Sequence, residues 1–224
     1  MSAWSGNSKV MKLLLFKVHQ GDILATAIEA VTRASYTHAA ILKDEATNTI
    51  SEAFFPHVRE RVLDNSELHG IDVFDISTTF PQFTPLTADQ TAAILAQCAA
   101  AEKIHEDYSI SNLFRFIPGM EELIGKAQDD GKTSAVFCSQ FCADKINDAI
   151  GLKLLNADSA DLAPGYLSWS PLLFPAPPLK LLTGIAANAP SKPVAMSFAT
   201  EAVKVAEAAI EAAKPATDTN TTTS

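Results

Sequence analysis

Between residues 36 and 76 the chain offers four β-like runs in close succession, and this cluster constrains the fold more than any other stretch. YTHAAILK (36–43) and TISEAFF (49–55) flank the polar turn DEATN and read as a hairpin. HVRERVL (57–63) follows almost at once, and IDVFDI (71–76) comes after DNSELHG, a turn or short helical loop. Alternating or nearly alternating apolar residues over such lengths mark strands with one face buried. An earlier run, KLLLFKVH (12–19), is stopped by Gly21 and supplies a further strand.

Helical spacing appears elsewhere. DILATAIEAVTRA (22–34) repeats apolar residues at 23, 27, 28 and 31, with Asp22 as N-cap. LTADQTAAILAQCAAAEKI (86–104) opens on a capping box of Thr87 and Gln90, with Ile94, Leu95 and Cys98 on its apolar side. FCSQFCADKINDAIG (137–151) is a helix that Gly151 stops. Residues 108–127 read as a loop and short helix, and the proline-rich stretch LAPGYLSWSPLLFPAPPLKLL is expected to wrap the surface in extended form. The class is therefore α+β, a central antiparallel sheet packed against helices. The expected division is a flexible N-terminus (1–10), one domain (11–182), a linker (183–196), an alanine-rich helix (197–214) and a threonine-rich disordered tail (215–224).

A formal net charge of −9 leaves no basic footprint for nucleic acid and argues against charge-driven binding to anionic membranes. No stretch approaches the roughly 18 apolar residues of a spanning helix, so no integral membrane segment is expected. The apolar core 13–16 is broken by Lys17 and no cleavage site follows, which predicts a cytoplasmic protein, or one carried on a phage particle or released by lysis. Three cysteines (Cys98, Cys138, Cys142) make no disulfide framework and fit a reducing compartment. A lone CxxxC pair is a weak zinc signal, and no metal or organic cofactor is expected.

Cys138 opens its helix, where unpaired amides and the positive dipole end favour a thiolate; Cys142, one turn further in, is expected to pack into the core, as is Cys98. His38 sits within a strand, where a half-buried imidazole must have partners. With the hairpin turn centred on Glu45, Glu52 lies directly opposite His38 and can hold its second ring nitrogen. His69, in a polar turn, and His105, near a helix end, need no function. Cysteine, base and orienting carboxylate make a candidate nucleophilic triad.

The order GDIL (21–24), SYTHAAIL (35–42), SEAF (51–54), DYSISNLFRF (107–116), VFCSQF (136–141) resembles the permuted papain-like amidases of the YiiX/YaeF type, relatives of NlpC-type cell-wall peptidases. In that branch the histidine strand precedes the cysteine helix. The resemblance spans about residues 18–175 and implies a circularly permuted papain-like fold. It makes Cys138 the nucleophile, His38 the general base and Glu52 the group that orients the imidazole. Tyr108 matches a cleft tyrosine that lines or supports the site, and Ser139 and Gln140 are substrate-binding or supporting. Gly21 and Asp22 match the turn before the first helix. Ser109 and Gln140 stand where the pattern has Asp and Glu.

The implied activity is cysteine hydrolysis of an amide (or ester) through a thioester, on a cell-wall peptide or an N-acyl, lipid-like amide. Two alternatives are an acyltransferase and a catalytically silent assembly protein, for example a phage-associated component. The helix 197–214 is the surface offered to a protein partner.

Overall fold

The computed structural model describes residues 10–17, 35–54, 56–109 and 136–182. Six strands form one antiparallel sheet: β1 Lys12–Lys17, β2 Tyr36–Asp44, β3 Thr49–Phe54, β4 His57–Val62, β5 Ile71–Ile76 and β6 Leu173–Pro175. Their order across the sheet is β4-β3-β2-β1-β5-β6. Among the described residues the α-helices are α1 Ala88–Ile104, α2 Cys138–Ile150 and the single turn α3 Pro164–Leu167. The α+β expectation holds.

β1 lies at the centre, between β2 and β5, and both of its faces are covered. That is why KLLLF is continuously apolar rather than alternating. Leu13 and Leu15, with Ala39, Ile41 and Ile76, pack in one cluster with Ile94 and Cys98 of α1 and Phe141, Cys142 and Ile146 of α2. Leu14 and Phe16 point the other way, into a second cluster with Ala40, Leu42, Ile50 and Val73 that Leu179 helps close. Each fully buried side chain of this size contributes about 1.5–3 kcal/mol.

Local chemistry sets the helix ends. Gln90 N donates to Thr87 Oγ1 at 3.2 Å and Thr87 N to Gln90 Oε1 at 2.9 Å, completing the expected box. α2 ends on Gly151 at φ 68°, a left-handed conformation natural to glycine.

Two expectations are corrected. The β2–β3 register pairs Ile41 with Ser51 and Leu42 with Ile50, so Glu52 is not directly opposite His38 but a diagonal neighbour on the same face. The turn is not centred on Glu45. Asp44 gathers Ala46 N and Thr47 Oγ1, Asn48 adopts φ 50°, and an irregularity between Leu42 and Asp44 shifts the ladder. The proline-rich stretch is not simply extended: it contains α3 and β6, which joins the sheet beside β5 through Phe74–Pro175, Asp75–Phe174 and Ile76–Leu173 pairs. Proline is tolerated there because β6 is an edge strand. DNSELHG resolves into a turn and a short 3₁₀ segment, Leu68–Gly70. The expected helices 22–34 and 197–214, the linker, the tail and most of 108–127 lie outside the described residues.

Candidate active site

His38 stands near the start of β2, paired across the sheet with Phe16 of β1. Its ring lies between two aromatics, Phe16 at 5.1 Å and Phe54, edge to face, at 5.8 Å. This apolar collar fixes the ring plane and leaves the nitrogens as its only polar contacts. Nε2 lies 2.8 Å from Glu52 Oε2. The diagonal offset is therefore spanned by the length of the two side chains.

Glu52 is wholly buried, yet it is one of the most heavily hydrogen-bonded groups described. Oε1 accepts from Arg59 Nε at 2.9 Å, Arg59 Nη2 at 2.7 Å and Arg61 Nε at 2.7 Å. Arg61 Nη2 reaches Oε2 at 3.5 Å. The β3–β4 register explains the convergence: Arg59 is the direct partner of Glu52 and Arg61 that of Ile50, so alternation puts both arginines on the carboxylate's face. Burial alone would raise the Glu52 pKa. The His38 bond and the Arg61 guanidinium override it and hold the carboxyl well below the usual range. An ionised Glu52 can only accept, so His38 Nε2 carries a proton and Nδ1 is the nitrogen left for another partner.

That partner is Cys138. It is the first residue of α2, after Phe137 in extended conformation, and the first intrahelical bond is Phe141 N to Phe137 O at 2.9 Å. The amides of the opening turn precede that bond and have no intrahelical acceptor. Cys138 hydrogen-bonds His38, and the pair acts on the imidazole pKa. Burial would lower it, but Cys138 first and Glu52 second raise it to about 9. At neutral pH the ring is thus an imidazolium facing the sulfur. Cys138 is 1% exposed, so the thiol is shielded while the His38 side chain retains 18% of its accessibility.

Tyr108 is brought in by backbone pairing. Tyr108 N donates to Pro56 O at 2.9 Å and Ser109 N to Val136 O at 2.9 Å, so the 107–109 segment runs beside the entry to α2. Burial, then the charges of Cys138 and Glu52, push the Tyr108 phenol well above its ordinary value, keeping it protonated. Ser139 is buried, and its Oγ donates to the Leu162 carbonyl, tying α2 to the approach to α3. Gln140 keeps a buried Oε1 without a hydrogen-bond partner among the described residues.

The other thiols are core groups. Burial raises Cys98 to about 11 and pushes Cys142 well above the ordinary thiol value. All three cysteines are free. Among the described residues no group of three or more His, Cys, Asp or Glu side chains is arranged to hold a metal ion, and no helix is long and apolar enough to cross a membrane.

Sequence reasoning brought Cys138, His38 and Glu52 together but missed Arg59 and Arg61. The signal was present: HVRERV alternates, and a symmetric turn at Phe55–Pro56 places residue 59 opposite residue 52. No protein-family model matches the chain, and no curated protein matches it either.

Proposed function

We propose that this chain is a cysteine hydrolase that cleaves an amide (or ester) bond, built on a permuted papain-like plan. The observation that carries the proposal is a continuous set of contacts: a cysteine at a helix head, an imidazole against its sulfur, and a buried ionised carboxylate on the far nitrogen. The chain order His38, Glu52, Cys138 matches the resemblance drawn from the sequence.

In this mechanism the Cys138 sulfur attacks the substrate carbonyl carbon, and the free amides of the α2 opening turn face the oxygen as it becomes negative. The imidazolium of His38 gives its Nδ1 proton to the departing amine or alcohol as the C–N or C–O bond breaks. A thioester remains. Neutral His38 then takes a proton from water, the hydroxide adds to the thioester carbonyl, and the acid leaves as the Cys138 thiolate re-forms beside the imidazolium. Glu52 holds the ring in the one tautomer that serves both steps.

The substrate class is a cell-wall peptide or an N-acyl, lipid-like amide. The test is alkylation by iodoacetamide across pH, with mass spectrometry assigning each cysteine, followed by a panel of peptidoglycan fragments and acyl amides. Cys98, Cys138 and Cys142 are all buried to 1% exposure or less, so a difference in rate reports thiolate character and local opening rather than static exposure. Fast labelling of Cys138 alone, together with turnover abolished by Cys138→Ala, supports hydrolysis. Uniformly slow labelling of all three sinks it and favours a silent scaffold. Turnover that needs an added amine or alcohol acceptor redirects the chemistry to acyl transfer.

A further inference from the structure

The contacts around Glu52 extend past the three residues of the proposed triad. Arg61 is held at both ends: Nε and Nη2 face Glu52, while Nη1 donates to Glu67 Oε2 at 2.7 Å. Glu67 is itself fixed, because Asp64 N donates to the same oxygen at 2.8 Å. Arg59 lies over the Phe54 ring, 4.1 Å from its centroid, and Phe54 in turn packs on the His38 ring. The groups that contact Glu52 are thus His38 from β2 and Arg59 and Arg61 from β4, with Tyr108 from the 107–109 segment and Cys142 from α2 near enough to feel its charge.

We infer that Arg61, with Arg59, is a positioning residue that keeps the buried Glu52 carboxylate ionised and turned so that Oε2 alone is left for His38; this rests on the hydrolase reading above. Three N–H donors saturate Oε1, which prevents the carboxylate from rotating and presenting a protonated oxygen to the imidazole. The two guanidinium charges are matched by Glu52 and Glu67. The clamp is neutral as a unit, and the His38 ring meets it through Glu52 Oε2 at 2.8 Å. A buried carboxylate without such partners would take up a proton instead.

The test follows the Glu52 side-chain carboxyl by carbon-13 NMR through an acid titration of the full chain, the signal being assigned by its loss in Glu52→Gln. In the natural sequence it stays ionised at every pH at which the chain remains folded. In Arg61→Met its titration moves up by about 1–2 pH units, the usual scale for losing a contacting opposite charge. The nitrogen-15 shift of His38 Nε2 changes over the same pH range, and Cys138 alkylation at pH 5 falls relative to pH 8. Arg61→Lys keeps the charge without the fork and restores most of the Glu52 ionisation. A merely structural arginine would move none of these. If Arg61→Met does not fold, Arg59→Met removes two of the three donors on Oε1 and moves the titration the same way. An unmoved Glu52 in the folded variant overturns this inference alone. A natural chain in which Cys138 labels no faster than the other cysteines overturns the hydrolase reading, and this inference with it.

Discussion

Glu52→Gln is the substitution that most sharply tests how the site is held together. The amide can still accept from Arg59 and Arg61 through its oxygen, but it removes the negative charge those two guanidinium groups share. Its NH₂ then faces His38 Nε2, which is possible only if that nitrogen gives up its proton, forcing the ring into the tautomer that points N–H at Cys138. Breaking a buried charge pair from one side costs about 3–5 kcal/mol. The retained hydrogen bonds favour the lower figure, and in a chain of this length about 3 kcal/mol corresponds to a loss of roughly 6–12 °C in Tm. The His38 pKa, held at about 9 partly by Glu52, falls, since burial pulls it down. Turnover should drop by about 10²–10⁴-fold, the usual scale for disabling an acid–base partner. Thermal denaturation and histidine NMR on the same sample check both parts. A Tm within a degree of the natural chain, with an unmoved His38, would refute the reasoning.

Three further outcomes follow from other elements. Cys142→Ala should leave the Cys138 labelling rate and turnover near their natural values while costing about 1 kcal/mol for a small buried cavity, read by urea denaturation; lost labelling would show the wrong thiol was chosen. Thr87→Ala removes one half of the α1 capping box and should cost about 1 kcal/mol by the same assay, with no effect on the site. Stability should also depend on His38. Its folded pKa of about 9 lies above the ordinary 6.5, so its contribution is complete below pH 6.5 and fades as the pH rises through 9. Tm measured from pH 6 to 10 should fall over that window, and Cys138→Ala, which removes the larger cause of the raised value, should flatten the fall.

Much of the sheet was readable from the sequence because β2 to β5 are local: each strand is followed within a few residues by the next, and the pattern of IDVFDI marks residues 71–76 to the residue. β6 was not readable. Three residues among prolines carry no periodicity, and only the distant edge of β5 turns them into a strand. The His38–Glu52 contact was reached through a register that proved shifted, and it survived because an error of two residues keeps both side chains on the same face. The arginine clamp went unseen for a different reason. Its signal lies between strands rather than within one: only pairing β4 back onto β3 brings Arg59 and Arg61 to the carboxylate of Glu52.

After β6 the chain does not leave the sheet. It crosses the second cluster with Leu179, then meets two turns: Asn48 Nδ2 donates to the Lys180 carbonyl at 3.0 Å, and Asn65 exchanges bonds with Leu182 at 3.2 and 3.0 Å. Those contacts join residues 117 and 132 positions apart, among the costliest loops to close. One of the two turns carries Glu67, and through it Arg61. During synthesis, then, the sheet, His38 and Cys138 are all complete in sequence before the strap that steadies their carboxylate has emerged. Among the described residues the order of emergence times assembly of the site: the brace on the turn that carries Glu67 arrives only when residue 182 does.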